Sequence, residues 1–422
     1  MKFVLASYGT RGDIEPSLVV ARELARRGHD VCLAVAPDSV GFVEAAGLPA
    51  VAFGLDTRTW LDVYRNFWTT LFRSFWRIRE LRQLWREMWT LSDQCWAHIN
   101  ATLRSAAEDA DVLIAGQAYQ EPAANVAEYY GIPLITLHHV PVRPNGRLVT
   151  ILPPALGRAA MTLFDWFTWL LNKKVDDTQR RELGLPKATS PAAQRIARRG
   201  SLEVQAYDDV CFPGLAAEWA KWDGQRPFVG TLTMELPTNV DDEVASWIAA
   251  GTPPICFGFG SMPVESPADT IRMIAAASAA LGERALVCAG YSDFSDVPRF
   301  DHVKVVGAVN YAAIFPACRA VVHHGGSGTT AASMRAGAPT LILSMDANQT
   351  LWGAQLKRLK IGTTRRFSAT TQDSLVADLR QILAPDYVAR ARSLATKMTR
   401  PAESNHRAAD VVEDFARLRS MA

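Results

Sequence analysis

Apolar residues recur along this chain in two alternating rhythms. Residues 2–6 form a short, largely apolar run, and 16–27 carry Leu18, Val19, Ala21, Leu24 and Ala25 at the spacing of a helix face. Pro16 suits the first turn of that helix, Gly28 stops it, and 30–35 returns as a second strand. The same signals repeat at 111–115 (strand), 122–130 (helix), Gly131 (stop) and 133–137 (strand). After an irregular stretch at 236–240 a second series begins, with strands at 254–258, 284–289, 303–306, 320–323 and 339–343. Its helices are expected at 267–281, from Ser327, and at 349–359, and helical periodicity continues from Thr371 to Leu418. Strand–helix alternation of this kind predicts a parallel, doubly wound sheet in each half of the chain.

Composition narrows the class. At 422 residues about two domains are expected. Hydrophobic residues at 49% and charged ones at 21% suit a soluble globular enzyme with sizeable cores. A net charge of +2 gives no basis for nucleic-acid binding. Six cysteines without a CxxC spacing point to reduced, mostly buried thiols. The longest apolar stretch, 161–171, carries Asp165 and is too short to span a bilayer. Met1-Lys2 leads directly into the first strand, so a cytoplasmic protein is expected.

The chemistry concentrates in HHGGSGTT (323–330), a glycine turn between a strand and a helix. Gly325, Gly326 and Gly328 let backbone approach a ligand closely, and Ser327, Thr329 and Thr330 add hydroxyls at a helix start. Unpaired amides and the positive end of the helix dipole favour an anion there. Asp13, after the first strand, admits two roles: capping the helix expected near Pro16, or accepting a proton at the carboxyl end of a sheet. His138 and His139 end another strand and are alternative or auxiliary bases, histidine being nearer ideal basicity at neutral pH. Asp109 and Asp111 have DxD spacing but sit in a helix–strand link, so no metal site is expected. Asp176-Asp177 and Asp241-Asp242 have the character of helix starts. The first strand is followed by GTRGD rather than GxGxxG, which argues against an NAD-dependent oxidoreductase.

HHGGSGTT resembles the nucleotide-sugar signature of GT-B glycosyltransferases, in the bacterial family-one branch that includes the vancomycin-type and sterol glycosyltransferases. SYGTRGDIEP (7–16), GFGSMP (258–263) and ANQTLWG (347–353) stand in that branch's order, and the chain looks like its mycobacterial glycopeptidolipid-type members. The resemblance implies an α/β fold of two Rossmann-like domains with parallel sheets facing a central cleft. It implies an acceptor-binding domain at 1–230, a linker at 231–250, a nucleotide-sugar-binding domain at 251–400, and a final helix within 401–422 packing back on the first domain.

In that frame Asp13 is the general base of inverting transfer. Thr10, Ser261, His324 and Thr329 contact the donor phosphates, closed by the backbone of Gly325, Gly326, Ser327 and Gly328. The loop at Val309 and Asn310 sits beside the nucleobase, and Gln349 binds the sugar hydroxyls. The branch usually has Asp before that glutamine; here stands Asn348, so either Asn348 or Asp346 is expected at the sugar. Loop 309–311 lacks a tryptophan, which leaves uridine and thymidine donors unseparated.

The expected reaction moves a hexose or deoxyhexose from a UDP- or dTDP-sugar to a hydroxyl of a hydrophobic acceptor, such as a glycopeptidolipid, another lipid or a natural product. It would need neither metal nor cofactor. Trp68, Phe72, Trp76, Trp85 and Trp89 lie in an aromatic stretch interleaved with arginines. They read either as core-facing helix or as an acceptor pocket with shallow contact to an anionic membrane, at the inner face of the plasma membrane. Residues 153–171 would form the pocket's other wall. The alternative function is a non-catalytic or degenerate nucleotide-sugar- or lipid-binding protein of the same fold.

Overall fold

The computed structural model describes every residue except 60–62, 64–69, 71–76, 150–151, 261–263, 291, 346 and 422. Strands β1 (Lys2–Ser7), β2 (Asp30–Val35), β3 (Ala50–Ala52), β4 (Val112–Ala115), β5 (Leu134–His138) and β6 (Leu202–Gln205) form one sheet in the order β3-β2-β1-β4-β5-β6. Every pairing in it is parallel. A second parallel sheet comprises β7 (Ile255–Gly258), β8 (Ala285–Cys288), β9 (Val303–Val306), β10 (Ala320–His323), β11 (Thr340–Ser344) and β12 (Gly362–Arg366). Its order, β12-β11-β10-β7-β8-β9, is the same winding: the first strand lies at the centre beside the fourth. These are two Rossmann-like α/β sheets. Their central strands are buried along their whole length, as strands covered by helices on both faces must be.

The chain divides into two compact units. The first comprises Met1–Ala206, Leu215–Leu232 and Ala402–Ala422; the second comprises Tyr207–Gly214 and Thr233–Pro401. The short piece Tyr207–Gly214 lies inside the expected first domain in sequence but groups with the second unit. In each sheet the strand order reverses beside the first strand, between β1 and β4 and between β7 and β10. Loops leaving the carboxyl ends of those strands are where such sheets collect ligands.

Two elements depart from sequence expectation. Helix Arg11–Arg26 starts five residues before Pro16, so within GTRGD Thr10 is the N-cap and Arg11, Gly12 and Asp13 are the first turn rather than a loop. Pro16 forfeits only the bond to the Gly12 carbonyl, which lies at the exposed start of the helix. Asp176 and Asp177 lie inside the long helix Pro154–Glu182, not at a helix start. Asp176 is buried there, accepting from Asn125 at 2.8 Å and from the Trp169 indole at 3.1 Å, with Arg195 at 3.1 Å. By contrast Asp241 does open a helix, Asp241–Ala249.

Helix Pro401–Ser420 is tied to the first unit by charge. Arg27 donates to Asp410 at 2.7 Å and to Glu413 at 2.8 Å, and His406 lies 3.0 Å from Glu23. Arg26, bidentate on Glu23, and then Arg27 hold the Glu23 carboxyl down at about 2. Burial works against the Glu413 carboxylate, but His29 and Arg27 outweigh it and keep it below the usual range. A depressed carboxylate stabilises the fold above its unfolded value of about 4.5 and loses that contribution as pH falls toward the folded value. Glu23→Gln is therefore expected to cost about 1–3 kcal/mol at pH 7. The gap to wild type should close as pH is lowered from 5 toward 2. Melting temperature against pH for both proteins checks this, and a gap that stays constant would overturn it.

Candidate functional site

In the second unit the chemistry gathers where β7 and β10 end. β10 runs into His324, Gly325 and Gly326, and helix Ser327–Arg335 begins at once. His323 is buried and staples the turn, its Nδ1 accepting from the Gly325 amide at 2.9 Å. Burial, with His324 beside it, keeps His323 well below the usual imidazole range, so it is neutral. Gly325 has φ +99°, and a Cβ there would lie 2.8 Å from Ile342 and 3.1 Å from Gln349. The turn therefore closes against β11 and the following helix only as glycine.

The His324 ring lies in a glycine cradle. A Cβ on Gly326 would come within 2.7 Å of its Nε2, and one on Gly260, after β7, within 2.7 Å of its Cε1. Beside the ring the N-cap position is Gly326, which has no side chain to cap the helix. Thr330 is committed to structure, bonding the Gly326 carbonyl through both its amide (2.9 Å) and its hydroxyl (2.8 Å). The partly exposed amides and side chains of Ser327, Gly328 and Thr329 remain at the helix start. The imidazole and the helix N-terminus beside it supply a polar ring and fixed dipoles, groups of the kind that favour an anion.

Around this turn the other expected donor residues fall as follows. Val309 is buried in the core, and Asn310 caps helix Tyr311–Ile314 by accepting from Ala312 at 3.1 Å. Only main chain is thus left at 309 to meet a base. Tyr311 stacks on Phe315 at 4.4 Å and acts as a core anchor. Gln349 lies in the first turn of helix Ala347–Leu359, its Oε1 accepting from the Met345 amide at 2.7 Å. Asn348 is in that same turn. Ser261 and Asp346 lie outside the described residues, as do Trp68, Phe72 and Trp76.

In the first unit Asp13 is the third residue of helix Arg11–Arg26 and closes a capping box with Thr10. Its Oδ2 accepts from the Thr10 amide at 2.8 Å and the Thr10 hydroxyl at 3.1 Å. The carboxylate remains 38% exposed, and its Oδ1 faces His139 Nε2 at 3.6 Å. Burial pushes the His139 ring down and Asp13 pulls it back, with a net lowering, so it is neutral at pH 7. His138 is fully buried, its Nδ1 taking the Gln205 amide at 3.2 Å. Burial, with the Arg143 and Arg226 charges, forces it far below the imidazole range. Of the two expected histidines only His139 reaches Asp13. Asp109 and Asp111 both serve Lys2, through its ammonium and its amide respectively.

Further side chains gather in the first unit, among them the expected acceptor-pocket residues Trp85 and Trp89. Tyr8, Tyr119 and Trp96 form an edge-to-face aromatic cluster at the ends of β1 and β4, with centroids 5.2 and 5.8 Å apart. Tyr119 has φ +57°, rare for a non-glycine, at the start of helix Gln120–Tyr130. Asp165, on the inward side of helix Pro154–Glu182, is pushed up to about 6 by burial. Glu203, fully buried on β6, is gripped by Arg143 and by Arg226 (3.1 Å), and Arg226 lies over Trp219 and Trp222. Trp85 and Trp89 meet edge to face at 5.7 Å on helix Ile78–Ala106, with Trp85 46% exposed.

Comparison with known proteins follows the same two halves. Residues 3–145 match the glycosyltransferase family 28 N-terminal domain, and residues 275–418 match the erythromycin biosynthesis protein CIII-like C-terminal domain. The uncharacterized glycosyltransferase Rv1524 of Mycobacterium tuberculosis is 58% identical over 420 residues, 99% of each chain. A sterol 3-beta-glucosyltransferase of Arabidopsis thaliana is 28% identical over 94% of this chain and 65% of its own. The glycosyltransferase VinC, solved in complex with dTDP, covers 100% of both chains at 18% identity with a TM-score of 0.64, a likeness of fold. With a glycine-cradled histidine at one switch point, a carboxylate at the other and relatives matched end to end, the chain belongs to the family-one GT-B glycosyltransferases.

Proposed function

We propose that this protein transfers a hexose or deoxyhexose from a UDP- or dTDP-sugar to a hydroxyl of a hydrophobic acceptor, with inversion at the anomeric carbon. The observation that carries the reading is the His324 cradle at the uncapped start of helix Ser327–Arg335. As the bond from anomeric carbon to phosphate oxygen breaks, its electron pair leaves with the diphosphate. The amides of Ser327 to Thr329 and the His324 ring hold that charge where it develops. The acceptor oxygen forms the new bond to the opposite face of the sugar, and its proton passes to Asp13 Oδ1. Thr10 keeps the other carboxylate oxygen fixed, so Oδ1 is the oxygen left for the proton. Neutral His139, 3.6 Å away, stands as a second acceptor along the same line. Gln349, with Asn348 in the same helical turn, is assigned to the sugar hydroxyls.

Donor binding is testable without knowing the acceptor. UDP or dTDP at about a hundred times its dissociation constant should stabilise the protein by about 2.7 kcal/mol, several degrees in melting temperature. His324→Ala should abolish the shift. Gly326→Ala should also abolish it while leaving the unliganded melt nearly unchanged. Gly326 has φ −61°, which alanine tolerates, so the added methyl acts on the histidine ring rather than on the backbone. No shift with any nucleotide, or shifts that survive both substitutions, would defeat the donor assignment.

A further inference from the structure

Helix Pro154–Glu182 carries an apolar face that the first unit leaves in solvent. Leu156, Leu163, Phe164, Phe167, Leu170 and Leu171 are each 52–70% exposed. At 100° per residue they fall within about 120° of one another, along about 22 Å of helix. The opposite side of the same helix is well anchored: Trp169, Asp176, Gln179 and Arg180 are buried, and Asp176, Gln179 and Arg180 all bond to Asn125. The exposed face is thus held rigidly outward. Beyond Leu171 the same azimuth is taken by Lys174 and Arg181, both exposed.

The neighbouring helix, Ile78–Ala106, packs against this one and adds to the pattern. Its first half bears exposed Ile78 and Trp85 beside exposed Arg79, Arg82 and Arg86. In sequence, residues 58–86 hold seven arginines (58, 65, 73, 77, 79, 82 and 86) against Asp62 and Glu80.

Three occupants suit an apolar face, and the chemistry separates them. A single helix's outward ridge is convex, so it cannot enclose a small acceptor. A second copy of the chain would bring these arginines against one another, which like charges oppose. An anionic lipid surface satisfies both features: Leu and Phe side chains enter the acyl boundary while Lys and Arg reach back to the headgroups. No described helix is long and apolar enough to cross a membrane, so the contact stays in the interface plane.

We propose that the outward face of helix Pro154–Glu182, continued along the same azimuth by Lys174 and Arg181, docks this protein on the surface of an anionic bilayer. The surface lies wholly within the first unit and does not depend on the transfer reaction proposed above. It places the enzyme where a hydrophobic acceptor is concentrated.

The test is co-sedimentation of the full chain with phosphatidylcholine vesicles, with and without phosphatidylglycerol, at low and high salt. Wild type should pellet with the phosphatidylglycerol vesicles and be released by salt. Leu163→Ser/Phe167→Ser should weaken binding at least about tenfold while keeping its nucleotide-induced melting shift, because both side chains are already in solvent. Lys174→Glu/Arg181→Glu supplies a second, charge-based variant with the apolar face intact, and should weaken it as well. Equal binding to neutral vesicles, no binding to either, or binding unchanged in both variants would overturn the proposal. A wild-type dimer that the serine variant converts to monomer, without vesicle binding, would assign the face to a second copy instead.

Discussion

Asp13→Asn is expected to lower the transfer rate by about 10²–10⁴-fold while the nucleotide-induced melting shift stays at the wild-type level. The separation follows from the two oxygens of this carboxylate having different work. Oδ2 closes the capping box, accepting twice from Thr10, and Oδ1 faces His139. An asparagine oxygen can still accept from Thr10, so the helix start survives at a cost of about 1 kcal/mol or less. The amide nitrogen then replaces the proton-accepting oxygen, and an amide has no basicity to offer an attacking hydroxyl. Asp13→Ala loses both functions and should also melt lower. Nucleoside diphosphate released with a panel of hydroxylated hydrophobic acceptors reads the rate. His139→Gln should cost less than Asp13→Asn; if it costs as much, the histidine is the proton acceptor and the aspartate positions it. Full rates in both Asp13 variants would remove this residue from the chemistry.

Glu203→Gln should destabilise the first unit by about 3–5 kcal/mol, a fall of roughly 10 °C or more in its melting transition. Glu203 is fully buried between two guanidiniums, Arg143 and Arg226, themselves almost wholly enclosed. Neutralising Glu203 removes the carboxylate paired with both guanidiniums, leaving two like charges in a low-dielectric interior close to neutral His138. Replacing all three charged residues by apolar ones of similar volume should be far milder, because the uncompensated charge is what destabilises. A melt within about 1 °C of wild type for Glu203→Gln would show that water or rearrangement reaches the triad.

What was legible in the sequence was decided by which side chains carry signal. Central strands β1, β4, β7 and β10 are apolar runs ended by glycine or histidine turns, and they stand where the rhythm places them. β6 was not visible: Leu202–Gln205 alternates apolar with Glu and Gln, as an exposed strand would. Its polar residues are buried because Arg143, Arg226 and His138 meet them from elsewhere in the chain, a tertiary fact that no local pattern encodes. β3 and β12 were missed for a plainer reason, being short or rich in Thr and Arg.

At the candidate site the glycine turn is readable because glycine permits close packing: Gly325 and Gly326 are sterically required against Ile342 and His324, whereas a Cβ on Gly328 would meet only Thr233, at 3.8 Å. The start of helix Arg11–Arg26 was misplaced because Pro16 is a strong first-turn signal. The Thr10–Asp13 capping box, three residues apart, overrides it. In the sequence Asp165 is only a charge interrupting an apolar run. Its elevation to about 6 comes from burial on the inward side of a helix whose outward side is greasy.

The order in which the two units are written along the chain also has a consequence for their birth. The first unit includes Ala402–Ala422, which is translated only after the whole of Thr233–Pro401. On the ribosome, the second unit's sheet therefore has all its strands before the first unit receives helix Pro401–Ser420. Until then Arg27 and His29 lack their partners Asp410 and Glu413. A stop codon near residue 400 would thus strand the larger, earlier-made unit while sparing the later one.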